Sequence, residues 1–582
     1  MNRVREASHT ETPAESAGAP PPRARIRRDY VIIGIAVAAC LLPFTGKAFH
    51  IDDPMYLWAA EQIASDPLDF YGFDVNWHGF IEPNYVANKN PPLIGFFLAA
   101  VSVVFGWSER GLHLGMLLPM LALLGALHGI ARRLTASPLA AAVALLALPV
   151  VWVSGTTLMS DVLMLSLWCG SLLLWMRGLE RRSLANLLGA ALLCGLCPLV
   201  KYFGLALLPL LAAYAFARER SFGRWTATLL IPLAIVGAYE AHMRARYGWS
   251  PLGDIASYAI NYAPGRERYS PLERGGVGLL FLGGCTLPVL FAAPFLWSRR
   301  ALLGWFAAVV CAAAAVPALG QLGRLPLIDE QGARWDVALQ MGLFGIAGVH
   351  ALVLAGLDLR SRRDAGALLL VLWLGGTWFF ATFTNWTTTA RSILPLAPAL
   401  VLVLVRALER RGGAGVERRP LLLVPLAAGA IVSLLVAHAD AGLANTARRA
   451  AQELTQTYAP RTPRLLFQGA WGFQQYMQQR GFERLRIDGM QLDVGDIVIT
   501  PATNTNLVEL PARVVRVLAT EEYATGGAVA TLSVARGAGF YASLWGPLPF
   551  TFGPVPPERY TVVQIVAPYR AAFRPPVSSP PR

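Results

Sequence analysis

Apolar residues run through most of this chain in blocks of roughly 17–22, the length needed to cross ~30 Å of hydrocarbon as helix, and short polar clusters separate them. The pattern predicts an all-α polytopic membrane protein. Spans are expected at 30–46, 111–131, 136–154, 162–176, 184–200, 202–217, 225–243, 276–297, 301–319, 337–357, 366–383, 393–407 and 420–438, thirteen in all. One more apolar block, 91–107, opens on Pro91-Pro92. As a crossing segment it would put Arg132-Arg133 on the outside and upset the parity of the next clusters. It is therefore read as a re-entrant or membrane-surface helix.

After residue 438 the rhythm changes. Polar, β-branched, Gly and Pro residues mix through 440–582, a length normal for one domain. Thr462 to Gly481 reads as a strand and then a helix, and Gly495–Thr500 and Ala512–Leu518 read as strands. The expectation is a C-terminal soluble α/β domain with a loose, Pro-rich end. Residues 1–29 are rich in Pro, Ala and Arg without a periodic apolar face, and predict a disordered cytoplasmic tail.

Composition agrees with this class. Of 582 residues, 55% are hydrophobic and 15% charged, where a soluble chain carries about a quarter charged. The net charge of +14 raises nucleic acid as a partner, but most cations stand in short clusters between apolar blocks. Arg181-Arg182, Arg299-Arg300 and Arg360 with Arg362-Arg363 are examples. That is the positive-inside pattern, and no recognition helix or aromatic-basic groove accompanies it. The basic run Arg23 to Arg28 predicts a cytoplasmic N-terminus. Residues 50–107 and 440–582 then lie outside. The six cysteines all fall in apolar segments. Cys194 and Cys197 form a CxxC without a second ligand pair, so small buried residues are the expectation.

Ionisable residues beside spans are costly and are candidates for function. Asp52-Asp53, followed by Pro54 and Tyr56, comes just after the first span. One carboxylate of such a pair suits a general base, and one equally suits capping the next helix. Asp161 starts a span, where it serves either the helix dipole or a ligand. Lys201-Tyr202 lies between two apolar stretches, where the lysine either snorkels outward or meets a phosphate. Arg391 precedes Leu394-Pro395, and its planar fork suits phosphate oxygens. Tyr258, Asn261, Tyr262 and Tyr269, with Arg244, Arg246, Arg266 and Arg268, enrich the 244–274 loop, which suits either a sugar or the interfacial aromatic belt. No P-loop, GxGxxG, HExxH or GxSxG occurs, and the cytoplasmic loops are too short for a nucleotide-sugar domain. A sugar donor would have to arrive in the membrane itself.

In their order, these motifs resemble bacterial members of the dolichyl-phosphate-mannose–protein mannosyltransferase family, close to the aminoarabinose transferases and the RgtA/B/C/D-like enzymes, all of GT-C type. The likeness rests on Asp52-Asp53 with Tyr56, Asn88-Lys89-Asn90-Pro91-Pro92-Leu93, Asp161, Lys201-Tyr202-Phe203-Gly204, and Arg391 with Leu394-Pro395. A weaker echo runs from Phe467 to Gln474. Asn90 stands where relatives often carry Lys or His, and Ser392 where a Tyr is common. The resemblance implies inverting transfer of a sugar from a polyprenyl phosphate to a hydroxyl of a lipid, glycan or protein. Asp53 would be the base, assisted by Asp52, and Asp161 would orient the acceptor. Lys201, Arg391 and Lys89 would bind the donor phosphate, and Tyr56, Tyr202 and Tyr262 the substrate. Mg²⁺ or Mn²⁺ shared by Asp53 and Asp161 would suit such carboxylates. The rival readings are a transporter or flippase for a lipid-linked sugar, for which paired repeats and broken helices are expected, and a non-catalytic assembly subunit.

Overall fold

Apolar helices account for most of the chain. The computed structural model describes residues 22–261, 269–413 and 420–572. Residues 1–21 of the expected tail, Tyr262, Arg266 and Arg268, residues 414–419 of a basic run and the final Pro-rich stretch lie outside the described residues. Among the described residues, eight helices are long and apolar enough to cross a membrane, and a ninth crossing is made if one bent pair counts as a span. This chain is a polytopic helical membrane protein with a β-containing C-terminal domain.

The thirteen expected spans do not all appear as single rods, and proline explains much of the difference. Pro lacks the N–H of the helical ladder and disfavours helix in the residue before it. The 136–154 block breaks into Pro138–Leu146 and Pro149–Gly155, bent by 69°. The 276–297 block becomes Pro271–Cys285 followed by the single turns Pro288–Phe291 and Ala293–Leu296. The 202–217 block opens as a 3₁₀ turn, Tyr202–Ala206, before helix Leu207–Glu219. The 91–107 block is the helix Leu93–Phe105, of 13 residues, shorter than the ~20 that a crossing needs.

Both ends of the membrane body differ from expectation. The first helix is Pro22–Leu41, so residues 22–29 are ordered helix rather than tail. Asp29, buried, accepts from His128 at 3.2 Å and anchors that extension. At the other end, the last helix does not stop near 438 but runs from Leu423 to Tyr458. The domain boundary therefore falls inside a helix, and the first strand beyond it is Leu465–Phe467.

The C-terminal domain is built on a mixed five-stranded sheet. Its order is Val515–Tyr523, Glu558–Ile565, Ile497–Pro501, Leu465–Phe467 and Glu483–Arg484. The last three run parallel and the first two pairs are antiparallel. Helix Trp471–Gln479 connects two of the parallel strands, which need a crossover rather than a hairpin.

Buried polar contacts lock this domain to the first loop. Lys47 Nζ lies 2.6 Å from Asp440 Oδ2, and both side chains are fully buried. Tyr541 donates to the same carboxylate at 2.9 Å, and Thr531 donates to it at 3.1 Å. These bonds offset the large desolvation cost of a buried ion pair. Tyr476 accepts from the Phe49 amide at 2.7 Å and donates to Glu109 at 2.5 Å. Gly472 sits so close to Phe49 that a Cβ would collide with the Phe49 carbonyl oxygen.

Candidate active site

Asp52 is the N-cap of helix Asp53–Ser65, with Pro54 inside the first turn. The turn before it holds Ile51 at φ +47°, a strained conformation for a β-branched residue. As successive positions at the start of a helix, the two adjacent carboxylates point in different directions. Asp53 is 0% exposed. Its Oδ2 accepts from the His50 amide and its Oδ1 from the Leu158 amide, both at 2.9 Å. It ties the first loop to the turn before Asp161. Asp52, with its side chain 33% exposed, instead meets Arg391.

Arg391 is the hub. It stands in the short helix Ala390–Ile393, whose capping box is Thr389 and Ser392. Ser392 thus has a local task, which accounts for a small hydroxyl at that position. Arg391 Nε donates to Asp161 Oδ2 at 2.7 Å, Nη1 to Asp52 Oδ2 at 2.8 Å, and Nη2 to Tyr56 Oη at 3.3 Å. Three of the five N–H groups are used, so the fork keeps donors for a further oxygen. The Arg391 side chain is 12% exposed.

Asp161 opens helix Asp161–Arg181 and is buried. Its other oxygen, Oδ1, lies 2.5 Å from Lys201 Nζ. Lys201 is the C-cap of helix Leu184–Val200, where the chain turns into the 3₁₀ segment. Tyr56, buried, has its hydroxyl 3.4 Å from Ser160. Four segments remote in sequence thus bring together Asp52, Tyr56, Asp161, Lys201 and Arg391: two carboxylates, two cations and a phenol.

Other predicted residues sit elsewhere. Lys89 pairs with Asp254 at 2.8 Å and lies 5.5 Å from the Trp249 ring centroid, not beside Arg391. Tyr202 Oη pairs with Tyr239 Oη at 3.1 Å and faces that same Lys89 cluster. Tyr269 donates to the Ser543 carbonyl at 2.9 Å, a packing contact with the C-terminal domain. The expectation that Asp53 is the base needs correction, because both its oxygens are buried and held by amides. A divalent ion shared by Asp53 and Asp161 does not fit either. Each Asp53 oxygen accepts an amide, each Asp161 oxygen accepts a cation, and among the described residues no three His, Cys, Asp or Glu side chains converge for a metal.

Burial raises the Asp53 carboxyl to about 7, against the pull of Lys47 and the two amides. A carboxyl raised in the folded state holds its proton more tightly there, so its contribution to stability falls as pH rises from its ordinary value toward about 7. Asp53→Asn turns an amide NH₂ toward a backbone donor, and is expected to cost about 1–3 kcal/mol. Thermal unfolding in detergent between pH 4 and 8 should show the gap between wild type and Asp53→Asn narrowing with rising pH. A gap that widens would contradict the buried protonated carboxyl. His50, next to it, is held down to about 4 by burial and is neutral near pH 7, despite Asp440 3.7 Å away.

The Lys47, Asp440 and Tyr541 cluster had no place in the sequence reading. Its signals were Lys47 and Asp440, ionisable residues at the ends of the apolar runs 30–46 and 420–438.

Residues 89–239 match the family model described as dolichyl-phosphate-mannose-protein mannosyltransferase. That segment holds Asp161 and Lys201, but neither Asp52 nor Arg391. Among solved structures, the chain is similar to the oligosaccharyltransferase of Archaeoglobus fulgidus in the apo form. Identity there is 14% and the TM-score 0.46, covering 80% of this chain and 65% of that one. It is also similar to ArnT from Cupriavidus metallidurans bound to undecaprenyl phosphate, at 15% identity and a TM-score of 0.42, covering 83% of this chain and 94% of that one. The apo state of that ArnT gives 15% identity and a TM-score of 0.41. No curated protein matches the chain.

Proposed function

We propose that this chain is a membrane glycosyltransferase. It moves a sugar from a polyprenyl-phosphate donor to an acceptor hydroxyl, with inversion, at the outer face of a bacterial inner membrane. The observation that carries this reading is Arg391 held between Asp161 and Asp52, with Lys201 on the other oxygen of Asp161. A pair of preorganised cations beside a carboxylate one-third exposed is what departure of a phosphate and deprotonation of a hydroxyl require. The family match over 89–239 supports the donor class.

In this mechanism the bond between the anomeric carbon and the phosphate oxygen breaks, and its electron pair stays on the phosphate. Arg391 and Lys201 stabilise that growing charge, at no cost of reorganisation because Asp161 already holds both in place. The acceptor oxygen attacks the anomeric carbon from the opposite face, and its proton passes to Asp52. Tyr56 steadies the guanidinium. Asp161 is a positioning residue and Asp53 a structural one. Asp52, Asp161, Lys201 and Arg391 sum to no net charge, so an arriving lipid phosphate meets no repulsion from the cluster as a whole.

The purified protein, given a polyprenyl-phosphate sugar labelled in the sugar and a membrane extract as acceptor, is expected to release polyprenyl phosphate as label enters the acceptor. Label crossing sealed vesicles with the phosphate–sugar bond intact would instead favour the flippase.

A further inference from the structure

The far end of the membrane body carries a cavity of its own. Helix Leu207–Glu219 follows Lys201 by one 3₁₀ turn and ends at Arg220. Helix Ala365–Phe379 is capped by Asp364 and leads through the turn Phe380–Thr384 toward Arg391. Lys201 and Arg391 stand at one end of these helices, so Arg220 and Asp364 stand at the other, where helix Trp335–Arg362 also ends. Helix Ala365–Phe379 packs against both of the others. A cavity of about 650 Å³ opens among the three, within the ~300–1,000 Å³ of sites that hold organic ligands. Its charged lining is Arg220, Arg360, Arg363 and Asp364.

The carboxylates in this region are already engaged by other arginines. Buried Asp358 pairs with Arg406 at 3.2 Å, with Arg362 at 3.8 Å and with Arg410. Asp364 accepts from the Ala367 amide at 2.6 Å and lies 3.5 Å from buried Arg406. Glu219 lies 3.6 Å from Arg218, which also meets Glu180 at 3.8 Å. Arg220, Arg360 and Arg363 are exposed, and among the described residues their guanidinium groups make no hydrogen bond or ion pair. Their backbones are nonetheless fixed. Arg220 and Arg363 end their helices at φ +52° and +53°, with their amides bonded to the Phe216 and Leu359 carbonyls at 2.9 and 3.0 Å. Three arginines against one aspartate leave the lining positive.

Apolar surface adjoins these cations. Phe216, also in the lining, is 52% exposed. From Leu368 in the lining, the same face of its helix continues to Leu372 and Phe379, 43% and 58% exposed. Guanidinium forks suit phosphodiester oxygens, and basic pockets between membrane helices hold anionic lipid head groups. A soluble phosphate compound would use the arginines alone. A lipid uses both parts of the surface.

We infer that this cavity binds an anionic phospholipid, in the leaflet opposite the candidate active site. Its phosphodiester lies among Arg220, Arg360 and Arg363, and an acyl chain runs along Leu368 and Leu372. The site is separate from the donor-phosphate cations, because the 13 residues of helix Leu207–Glu219, about 20 Å at the helical rise, stand between Arg220 and Lys201. It does not rest on the transferase reading.

The test is lipid binding by the full-length protein in neutral detergent, titrated with fluorescently labelled phosphatidylglycerol and with phosphatidylcholine of the same chains. Phosphatidylglycerol is expected to bind about tenfold tighter or more. The triple variant Arg220→Asn, Arg360→Gln, Arg363→Asn removes the three charges, and asparagine suits the two left-handed positions. Its Kd for phosphatidylglycerol is expected to rise about tenfold or more, since each cation near an anionic lipid surface contributes roughly fivefold. Arg360→Gln alone is expected to raise Kd about fivefold, and keeps the test open if the triple variant does not fold. Arg299→Gln with Arg300→Gln removes exposed cations outside the cavity, and is expected to change Kd less than about twofold at about 0.15 M salt. Equal binding of the two lipids, an unchanged Kd in Arg360→Gln or the triple variant, or an equal loss in the Arg299 and Arg300 variant would each overturn the inference. Displacement of the lipid by an equal concentration of glycerol 3-phosphate would overturn it too, by making the cavity a site for free phosphate compounds.

Discussion

Asp52→Asn is expected to lower turnover about 10²–10⁴-fold, the contribution of a positioned general base, while the protein still inserts and folds. The carboxylate is one-third exposed, and among the described residues Arg391 Nη1 is its hydrogen-bond partner. Asparagine keeps an oxygen for that bond but cannot take the acceptor proton. Single-turnover rates with bound donor isolate the step, and donor affinity should change little. Asp52→Glu is expected to restore part of the rate, since it moves the base without removing it. A variant Asp52→Asn that turns over at the wild-type rate would remove Asp52 from the mechanism.

Arg391→Ala is expected to have the second largest effect. Loss of one preorganised donor to a developing oxyanion typically costs about 10²–10³ in rate. Here it also leaves buried Asp161 with Lys201 alone, and removing one partner of a buried pair costs about 3–5 kcal/mol of stability. The two effects separate by comparison with Arg391→Lys. Lysine keeps the charge near Asp161, and so most of the stability. It lacks the fork that reaches Asp161, Asp52 and Tyr56 together. The ratio of polyprenyl phosphate released to protein folded should therefore stay low in Arg391→Lys. Equal and full recovery of both would assign Arg391 to the fold only.

The site residues that converge were legible because each interrupts an apolar pattern. Asp161, Lys201 and Arg391 are ionisable groups at helix ends where apolar residues are the rule. What the sequence could not say is which member of Asp52-Asp53 faces the opening. That depends on partners remote in sequence, the Leu158 amide for Asp53 and Arg391 for Asp52, and no side-chain preference announces it. Lys89 was misplaced for a related reason. Its partner Asp254 is 165 residues away, and nothing local distinguishes a lysine bound for a phosphate from one bound for a carboxylate.

The fold divides the same way. Apolar blocks identified the helices, and the strands expected early in Thr462 to Gly481, at Gly495–Thr500 and at Ala512–Leu518 overlap the observed Leu465–Phe467, Ile497–Pro501 and Val515–Tyr523. Block length alone could not tell a straight rod from one broken at Pro149 or Pro288. The end of the final helix was also hidden. Residues 440–458 are polar enough to look like a new domain, yet they continue the helix because their buried face packs against helix Trp471–Gln479.

That continuation has a mechanical result. A rod of 36 residues is about 54 Å long at 1.5 Å per residue, and so outreaches the bilayer. With Asp440 pinned to Lys47 partway along it, the upper portion cannot swivel against the first loop as a domain on a tether would. When acyl chains lengthen or shorten, helices answer by tilting. Here such a tilt carries the first loop, Asp52 and Arg391 together as one piece. Membrane thickness then alters the height of these side chains relative to the acyl chains, while the spacing between them stays the same.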